Sequence, residues 1–387
     1  MLISVNCASG VESVTKRELI DLGYGEIPAL NGRFIFNAQK EDIARLNMNL
    51  RTAERVMLVC GRFNAENFDE LYEGTRNWPW EEIIPQDGMI TIKGKSHKSR
   101  LFAVSACQSI VKKAVADRLT SVYGLNSLEE SGEKYVIEFS IYEDMATLSI
   151  DTSGEALHKR GYRDLSAPAP LKETLAAAML MLTPHNGKKI NDIFCGSGTI
   201  PIEAALMARN IPPGLKRSFA FEKWQKFDSR YIRKEREKAQ AEILNNKIKC
   251  CYASDIEPEM VSMAKRHAKR AGVYDNIEFR CCDMRGFMCS GEAIVTNLPF
   301  GERLLDTKSV IGLYKDFGKM YRENCTGTSL TALTDNKAFE KYIGRDASKK
   351  RKLYNANIEC TVYFYYTEGN NGKGKNRKDQ PAQTTST

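Results

Sequence analysis

The sequence predicts an α/β protein of more than one domain, with a doubly wound parallel sheet in its C-terminal half. Three observations predict it. From about residue 166, short apolar strands alternate with helical stretches. The first of these strands runs into a glycine-rich turn, NDIFCGSGT, and the next two end on acids, in CCYASD and FRCCD. Open α/β sheets bind ligands outside such carboxyl ends.

At 387 residues the chain has room for two or three domains. A composition of 42% hydrophobic and 27% charged residues is that of a soluble globular protein. No apolar run approaches the roughly 18 residues that span a bilayer. The start, MLISVNCASG, lacks the basic region and long apolar core of a signal peptide. These features predict a cytoplasmic protein with no membrane partner. The eleven cysteines include no C-x-x-C and read as reduced, small hydrophobic residues. His97, His158, His185 and His267 are not spaced as ligands, so no metal is expected.

The first segment, residues 1–53, reads strand–helix–strand: LISVNC, VESVTKRELIDLGY and GRFIFN. Val11, Val14 and Leu19 suit one helix face, and Gly23 suits its stop. Residues 54–165 hold the strand MITIKG, the helix LFAVSACQSIVKKAVADRL and the strands YVIEFSIY and MATLSID. Cys107, Ile110, Val111 and Ala114 form a stripe on that helix. Between Thr91 and Arg118 stand seven Lys or Arg residues and one acid, Asp117, within a net charge of +8. A solvated helix face accounts for such a run; so does a polyanion footprint.

SAPAPLKE marks a domain boundary, and residues 166–368 follow with strands KINDIF, CCYASD, IEFRCCD, AIVTN, SLTALT and CTVYFYY. TIPIEAALMAR and EPEMVSMAKRHAKRAG supply helices between them. The stretch from Asn210 to Lys249 separates the glycine turn from Asp255 by far more than the roughly 20 residues of a compact unit. Within it, SRYIRKEREKAQAEI reads as a charged, exposed helix. Residues 369–387 have no apolar face and are expected to be disordered.

The chemistry concentrates at the strand ends. Gly196 and Gly198 allow a ligand close to the backbone at a helix N-terminus. The third glycine of the dinucleotide fingerprint is missing, so the pair alone carries little. Asp255 stands where a carboxylate reaches ribose hydroxyls, and Asp283 where one accepts from an adenine amino group. Each alone is a common cap residue; together they describe a nucleoside crevice. TNLPFGER ends the fourth strand beside it. The Asn297 amide oxygen and the Leu298 carbonyl can both accept from an exocyclic amine and draw its lone pair out of the ring. Pro299 stiffens the turn, and Phe300 offers a stacking face.

NDIFCGSGTIPIEAA resembles the first motif of class I methyltransferases that use S-adenosylmethionine (SAM), and TNLPFGER resembles their Asn-Pro-Pro-Tyr motif. LHKRGYRDLSAPAPLKETLAAAML is similar to the hinge and first helix of RlmL-type guanine-N2 methyltransferases, which carry a THUMP RNA-binding domain. SHKSRLFAVSACQSIVKKAVADRL resembles part of that THUMP domain, and CASGVESVTKRELIDLGY the ferredoxin-like piece before it. The resemblance spans about residues 2 to 366. It implies a ferredoxin-like region at 1–53, a THUMP domain at 54–165 and a Rossmann-like methyltransferase domain with a seven-stranded, mostly parallel sheet at 166–368.

It also implies roles. Asp192, Cys195, Gly196 and Gly198 would line the methionine part of SAM, Asp255 would hold its ribose and Asp283 its adenine. Asn297 and the Leu298 carbonyl would grip the guanine N2 amine, with Phe300 stacking on the base. The basic run, as Lys95, Lys98, Arg100, Lys112 and Lys113, would meet phosphates of structured RNA, 23S rRNA first and tRNA as the alternative. Two residues depart from the family pattern, Ile193 and Leu298, each in place of a proline; Leu298 would act through its carbonyl, so activity is expected to survive, with the stiffness of its loop in question. A non-catalytic ribosome-assembly factor is the reading from another class. DNA amino methylation is disfavoured by the THUMP-like half, and pyrimidine-C5 chemistry by Phe300 standing where that class has cysteine.

Overall fold

The computed structural model describes residues 1–367 except 31, 165–169, 186, 300–306 and 356–357. SAPAPLKE therefore lies partly, and Phe300 and the tail at 369–387 wholly, outside the described residues. The first half of the chain comprises β1 (Leu2–Cys7), α1 (Glu12–Asp21), β2 (Ala29–Leu30), β3 (Arg33–Asn37), α2 (Lys40–Asn49), β4 (Ala53–Asn64), α3 (Phe68–Arg76), β5 (Met89–His97), α4 (Val104–Tyr123), β6 (Lys134–Tyr142) and β7 (Met145–Asp151). Its strands form one sheet in the order β2-β3-β1-β4-β7-β6-β5. The long strand β4 pairs with β1 along one edge and β7 along the other. It runs straight through residues 53 and 54, so the ferredoxin-like and THUMP parts share a single sheet.

Helix α1 does what its stripe predicts, with a refinement. Val11, Val14 and Leu19 are all buried, but Leu19 enters the core of the first half while Val11 and Val14 enter that of the second. One amphipathic helix thus serves two cores. Its chain reverses at Gly23, whose φ of +91° is open to glycine at no steric cost. On α4, Cys107, Val111 and Ala114 are fully buried and Ile110 half-buried, as a stripe with i, i+3, i+4 spacing requires.

The second half comprises α5 (Glu173–Leu182), β8 (Ile190–Asp192), α6 (Thr199–Ala208), α7 (Arg230–Ala241), β9 (Cys251–Asp255), α8 (Pro258–Ala271), β10 (Ile277–Cys281), β11 (Ala293–Asn297), α9 (Thr307–Asn324), β12 (Ser329–Thr334), α10 (Phe339–Ile343), β13 (Lys349–Asn355) and β14 (Ile358–Tyr365). The sheet order is β10-β9-β8-β11-β12-β14-β13. The first five strands named are parallel, β14 is antiparallel to β12, and β13 to β14. Order reverses on either side of β8, which makes the carboxyl ends of β8, β9 and β11 the ligand crevice.

Three sequence expectations need correction. The strand expected from KINDIF is only Ile190–Asp192, because the chain turns at once into the glycine loop. The strand β13, KKRKLYN, was not anticipated: it is an edge strand whose lysines face solvent, the composition that discourages pairing with other chains. The charged helix α7 is not simply solvated. Ile232 and Ala239 are buried, Asn49 on α2 donates to Glu235 at 3.4 Å, and Arg236 pairs with Glu222. Just ahead of it, Phe219, Phe221 and Trp224 sit in the core of the first half, with Trp224 stacked 5.3 Å from Tyr135. The extra residues between the glycine turn and Asp255 form a strap that leaves the second domain and docks on the first.

No helix of the described residues is long and apolar enough to cross a membrane. Removing the strap's largest anchor should loosen the first half: Trp224→Ala is expected to cost about 3–5 kcal/mol, as for other buried aromatic truncations. An unchanged urea midpoint for the variant would mean that the strap only lies on the surface.

Candidate active site

Each strand of the crevice delivers its functional residue by simple local rules. β8 and β11 are parallel neighbours, with Ala293 opposite Ile190 and Ile294 opposite Asn191. Thr296, near the end of β11, therefore meets Asp192 at the end of β8: its hydroxyl donates to Asp192 Oδ1 at 2.7 Å. The Phe194 N–H donates to the same oxygen at 3.3 Å. Despite both donors, burial pushes the Asp192 carboxyl up to about 7, and the nearby Asp255 charge adds to that rise.

The glycine loop follows. Cys195 N donates to the Ser254 carbonyl at 2.9 Å, tying the loop to β9. Gly196 (φ +49°) has open space where a side chain would stand, so its backbone edges the crevice. Gly198 (φ +87°) caps α6; a Cβ there would come within 2.9 Å of Ala264 on α8. Asp255 accepts from Gly196 N at 2.9 Å and from Glu257 N at 3.1 Å. Each carboxylate oxygen keeps further acceptor capacity. The Cys195 thiol is raised by burial, which leaves it a packing residue with no nucleophilic role.

Asp283 differs from expectation. It lies past the end of β10, where it caps a short turn by accepting from Arg285 N at 2.9 Å. The Arg285 guanidinium also pairs with it at 2.6 Å, and these donors hold its carboxyl below the usual range. Its side chain is 40% exposed, at the rim of the crevice.

The turn after β11 carries an unsatisfied group. Asn297 Oδ1 is buried and has no hydrogen-bond partner among the described residues. Buried acceptors without partners are rare and mark a place for a missing donor. The turn around it is fixed. Leu298 N donates to the Leu333 carbonyl at 3.0 Å, and the Leu298 side chain is fully buried. The Pro299 carbonyl accepts from the Tyr314 hydroxyl at 2.9 Å, and that hydroxyl also meets Thr334 Oγ1 at 2.8 Å.

The structure thus brings Asp192, Cys195, Gly196, Gly198, Asp255, Asn297, Leu298 and Pro299 to one crevice, with Asp283 at its edge. Sequence reasoning missed Thr296, which lies in the quoted motif, and Tyr314, whose helix carries no signal of its tertiary partner. It also missed His267 of α8, whose Nδ1 lies 3.0 Å from the Ser197 carbonyl of the glycine loop.

The five basic candidates do not form one patch. Lys112 and Lys113 lie on the outer face of α4, where Lys112 pairs with Glu130 at 3.0 Å and Lys113 sits over the Tyr72 ring. Arg100 pairs with Glu66. Lys95 and Lys98 are exposed, Lys95 on β5 and Lys98 in the loop after it.

Family models match three parts of the chain: the RlmL ferredoxin-like domain at residues 3–57, the THUMP domain at 65–151 and the methyltransferase domain of RMKL-like proteins at 160–363. A Bacillus subtilis protein named putative RNA methyltransferase YpsC is 41% identical over 93% of this chain and 94% of its own. A ribosomal RNA large subunit methyltransferase K/L of Psychromonas ingrahamii is 31% identical over 92% of this chain and 49% of its own, so the chain spans about half the length of that relative. The crystal structure of SMU.472, a putative methyltransferase complexed with SAH, superposes with a TM-score of 0.88 at 35% identity, covering 95% of this chain and 98% of that one. Matched in its catalytic half and in both domains ahead of it, the chain belongs to the RMKL-like methyltransferase family, in the form that carries an RlmL-type ferredoxin-like domain and a THUMP domain.

Proposed function

We propose that this chain is an RNA methyltransferase that uses SAM to methylate the exocyclic N2 amine of a guanosine in 23S rRNA. Residues 166–368 would be the catalytic domain, with 1–53 and 54–165 recruiting the RNA. The observation that carries the reading is Asn297 Oδ1, a buried acceptor at the end of β11 without a donor among the described residues. An amino group is the donor that fits it, and the Leu298 carbonyl would take the second amine hydrogen.

The crevice also fits the cofactor. The open side of Gly196 admits a ligand to the backbone, and Asp255 retains acceptors for ribose hydroxyls beside the loop it braces. SAM, when bound, supplies an electrophilic methyl group on a positively charged sulfur. The protein's share is then binding and orientation. Asn297 and Leu298 would hold the amine with its lone pair aimed at the methyl, and positioning of that kind supplies much of a rate enhancement. The names of the K/L relatives support large-subunit rRNA as substrate, and the YpsC relative supports RNA.

Asp192 gives this reading a pH signature. Its carboxyl, raised to about 7 by burial, is partly protonated near neutrality. A positive ligand beside it favours the ionised form, so cofactor binding should expel that proton. Affinity for SAM should therefore rise with pH through about 7 and level off above. Each unit by which the ligand lowers this pKa corresponds to a tightening of about tenfold. Calorimetry near neutral pH in two buffers of different ionisation enthalpy should detect the proton; identical heats would mean that Asp192 does not face the positive end of the cofactor.

The amine grip is tested by single-turnover transfer to an unmodified large-subunit rRNA transcript, with product nucleosides identified by mass spectrometry. The wild type should yield N2-methylguanosine. Asn297→Ala should slow transfer roughly 10²–10³-fold, as for one positioned hydrogen bond in a dry site, with SAM affinity little changed. Tyr314→Phe keeps the ring and frees the Pro299 carbonyl; it should lower kcat about tenfold through misalignment and leave KM for RNA alone. Wild-type transfer by Asn297→Ala would reduce the amide to a turn residue, and a methylated adenosine or cytidine would overturn the guanine assignment.

A further inference from the structure

An amine grip selects the group to be methylated but not the ring that carries it, since adenine and cytosine also present an exocyclic amine. Guanine differs in the ring atom beside that amine. Its N1 carries a hydrogen, whereas adenine N1 and cytosine N3 are bare acceptors next to theirs. Enzymes that act on a base read it by hydrogen bonds along this edge. A site for guanine therefore calls for a third acceptor, to one side of Asn297 Oδ1 and the Leu298 carbonyl.

Strand β12 brings one there. It is the parallel neighbour of β11 on the side away from β8, with Leu333 opposite Asn297 and the Leu298 N–H bonded to the Leu333 carbonyl. Side chains alternate between the faces of a strand. Ala293, Val295 and Leu333 pack into one core of this sheet, and Ile294, Leu330 and Ala332 into the other. Asn297 at the end of β11 and Asp335, one residue past the end of β12, continue the first set. Two residues of rise and one strand spacing put their Cα atoms about 8 Å apart, a gap that two short side chains and the edge of one base can fill.

The surroundings of Asp335 agree with that face. β14 runs antiparallel to β12 with Thr361 opposite Thr334, so Cys360 comes level with Asp335, and Cys360 is buried in the same core as Val295 and Leu333. Burial pushes the Cys360 thiol up to about 11, and the Asp335 charge adds to that rise. Burial also raises the Tyr314 hydroxyl, again with a contribution from Asp335. Asp335 is thus within electrostatic reach of the hydroxyl that holds the Pro299 carbonyl. Its neighbours are committed to the local turn. Thr334 Oγ1 meets the Tyr314 hydroxyl and accepts from Asn336 N at 3.1 Å, and Asn336 Oδ1 accepts from Ala338 N at 2.8 Å. Asp335 is half-buried beside the crevice. A carboxylate accepts at about four lone-pair sites, so it can take a base N–H alongside other partners.

We propose, on the reading that the chain methylates guanine at N2, that Asp335 reads the base: its carboxylate accepts the N1 hydrogen while Asn297 and Leu298 hold the amine. With adenine or cytosine a ring lone pair would face that carboxylate. The site would then repel the wrong base as well as bind the right one.

The test is single-turnover transfer from SAM by the full chain to synthetic rRNA fragments. At the guanosine that the wild type methylates, the fragment carries either guanosine or 2-aminopurine, which keeps the C2 amine but has a bare N1. The wild type should prefer guanosine by roughly 10- to 150-fold, the range for one hydrogen bond to a charged group. Asp335→Asn offers an N–H as well as an oxygen and can meet either edge. It should slow transfer to guanosine about tenfold and bring the preference to within about threefold, with SAM affinity by calorimetry unchanged. A merely structural Asp335 would slow both substrates alike and keep the ratio of the wild type. That result would overturn the proposal, and so would a wild type that uses both bases equally; in either case the amine grip stands. A wild type that forms no N2-methylguanosine anywhere in the large-subunit transcript would overturn both.

Discussion

The hinge between β7 and α5 is built on buried arginines, and the catalytic crevice depends on where they are held. Arg160, buried, lies 3.7 Å from the fully buried Glu203 of α6 and donates to the Leu157 carbonyl and to that of Arg51. Tyr162 donates to the same Glu203 at 3.1 Å. Arg163 reaches Thr199, the first residue of α6, and Glu173, the first of α5. Asp164 completes the set against Arg266, Arg270 and the ring of His267, whose other nitrogen faces the Ser197 carbonyl. Four of the five hinge residues from Arg160 to Asp164 thus grip both helices that flank the glycine loop and the loop itself. Desolvated charges of this kind contribute little net stability, but removing one partner is costly because the other is left buried and unpaired. What such a network supplies is a single arrangement. Arg51, whose guanidinium donates to the Ile211 carbonyl at 2.8 Å, extends that arrangement to the strap.

The two departures from the family pattern make physical sense against this frame. Leu298 replaces a proline whose ring would stiffen the turn, yet it has what proline lacks, an N–H, and uses it on the Leu333 carbonyl. Its side chain is fully buried in the same cluster as Ile193, the other departure, with Tyr314 and Phe317. Stiffness that a ring would give through φ comes here from burial and a hydrogen bond. The Tyr314 hydroxyl adds a third restraint one residue on. Asn297 is therefore held on a rigid turn with its oxygen unsatisfied among the described residues, the condition for a hydrogen bond that a substrate completes.

The glycine turn, Asp192, Asp255 and the Asn-Leu-Pro turn were legible because each is a local matter: a strand ends, the chain must bend, and the residue types at the bend announce it. The parallel order of β8 to β12 was legible in the same way, from strands separated by helices. What escaped the sequence is what only tertiary structure creates. Tyr314 is an ordinary helix residue until α9 packs over the turn. Strand β13 is too charged to read as a strand without β14 beside it. The strap reads as solvated because its charges are continuous while its anchors, Phe219, Phe221, Trp224 and Ile232, are spread over a loop and a helix with no common period. That the basic run divides between two elements escaped the sequence for a related reason. Its lysines are adjacent in sequence, but the chain passes from β5 to α4 between them, and strand and helix lie on opposite sides of one another.

A rigid coupling of the two halves has a consequence for recognition. On the proposed reading the Asn297 turn would grip only an amine, a group found on many bases, so it would carry little information about which guanosine to modify. That information would then have to come from the first half. It can do so only if the distance between the RNA-binding surface and Asn297 is fixed. The strap, the shared helix α1 and the buried hinge each cross between the halves, at separate places. Three crossings restrain a body where one would leave a pivot. On that reading the molecule is a ruler, its length set by how the two halves are locked together.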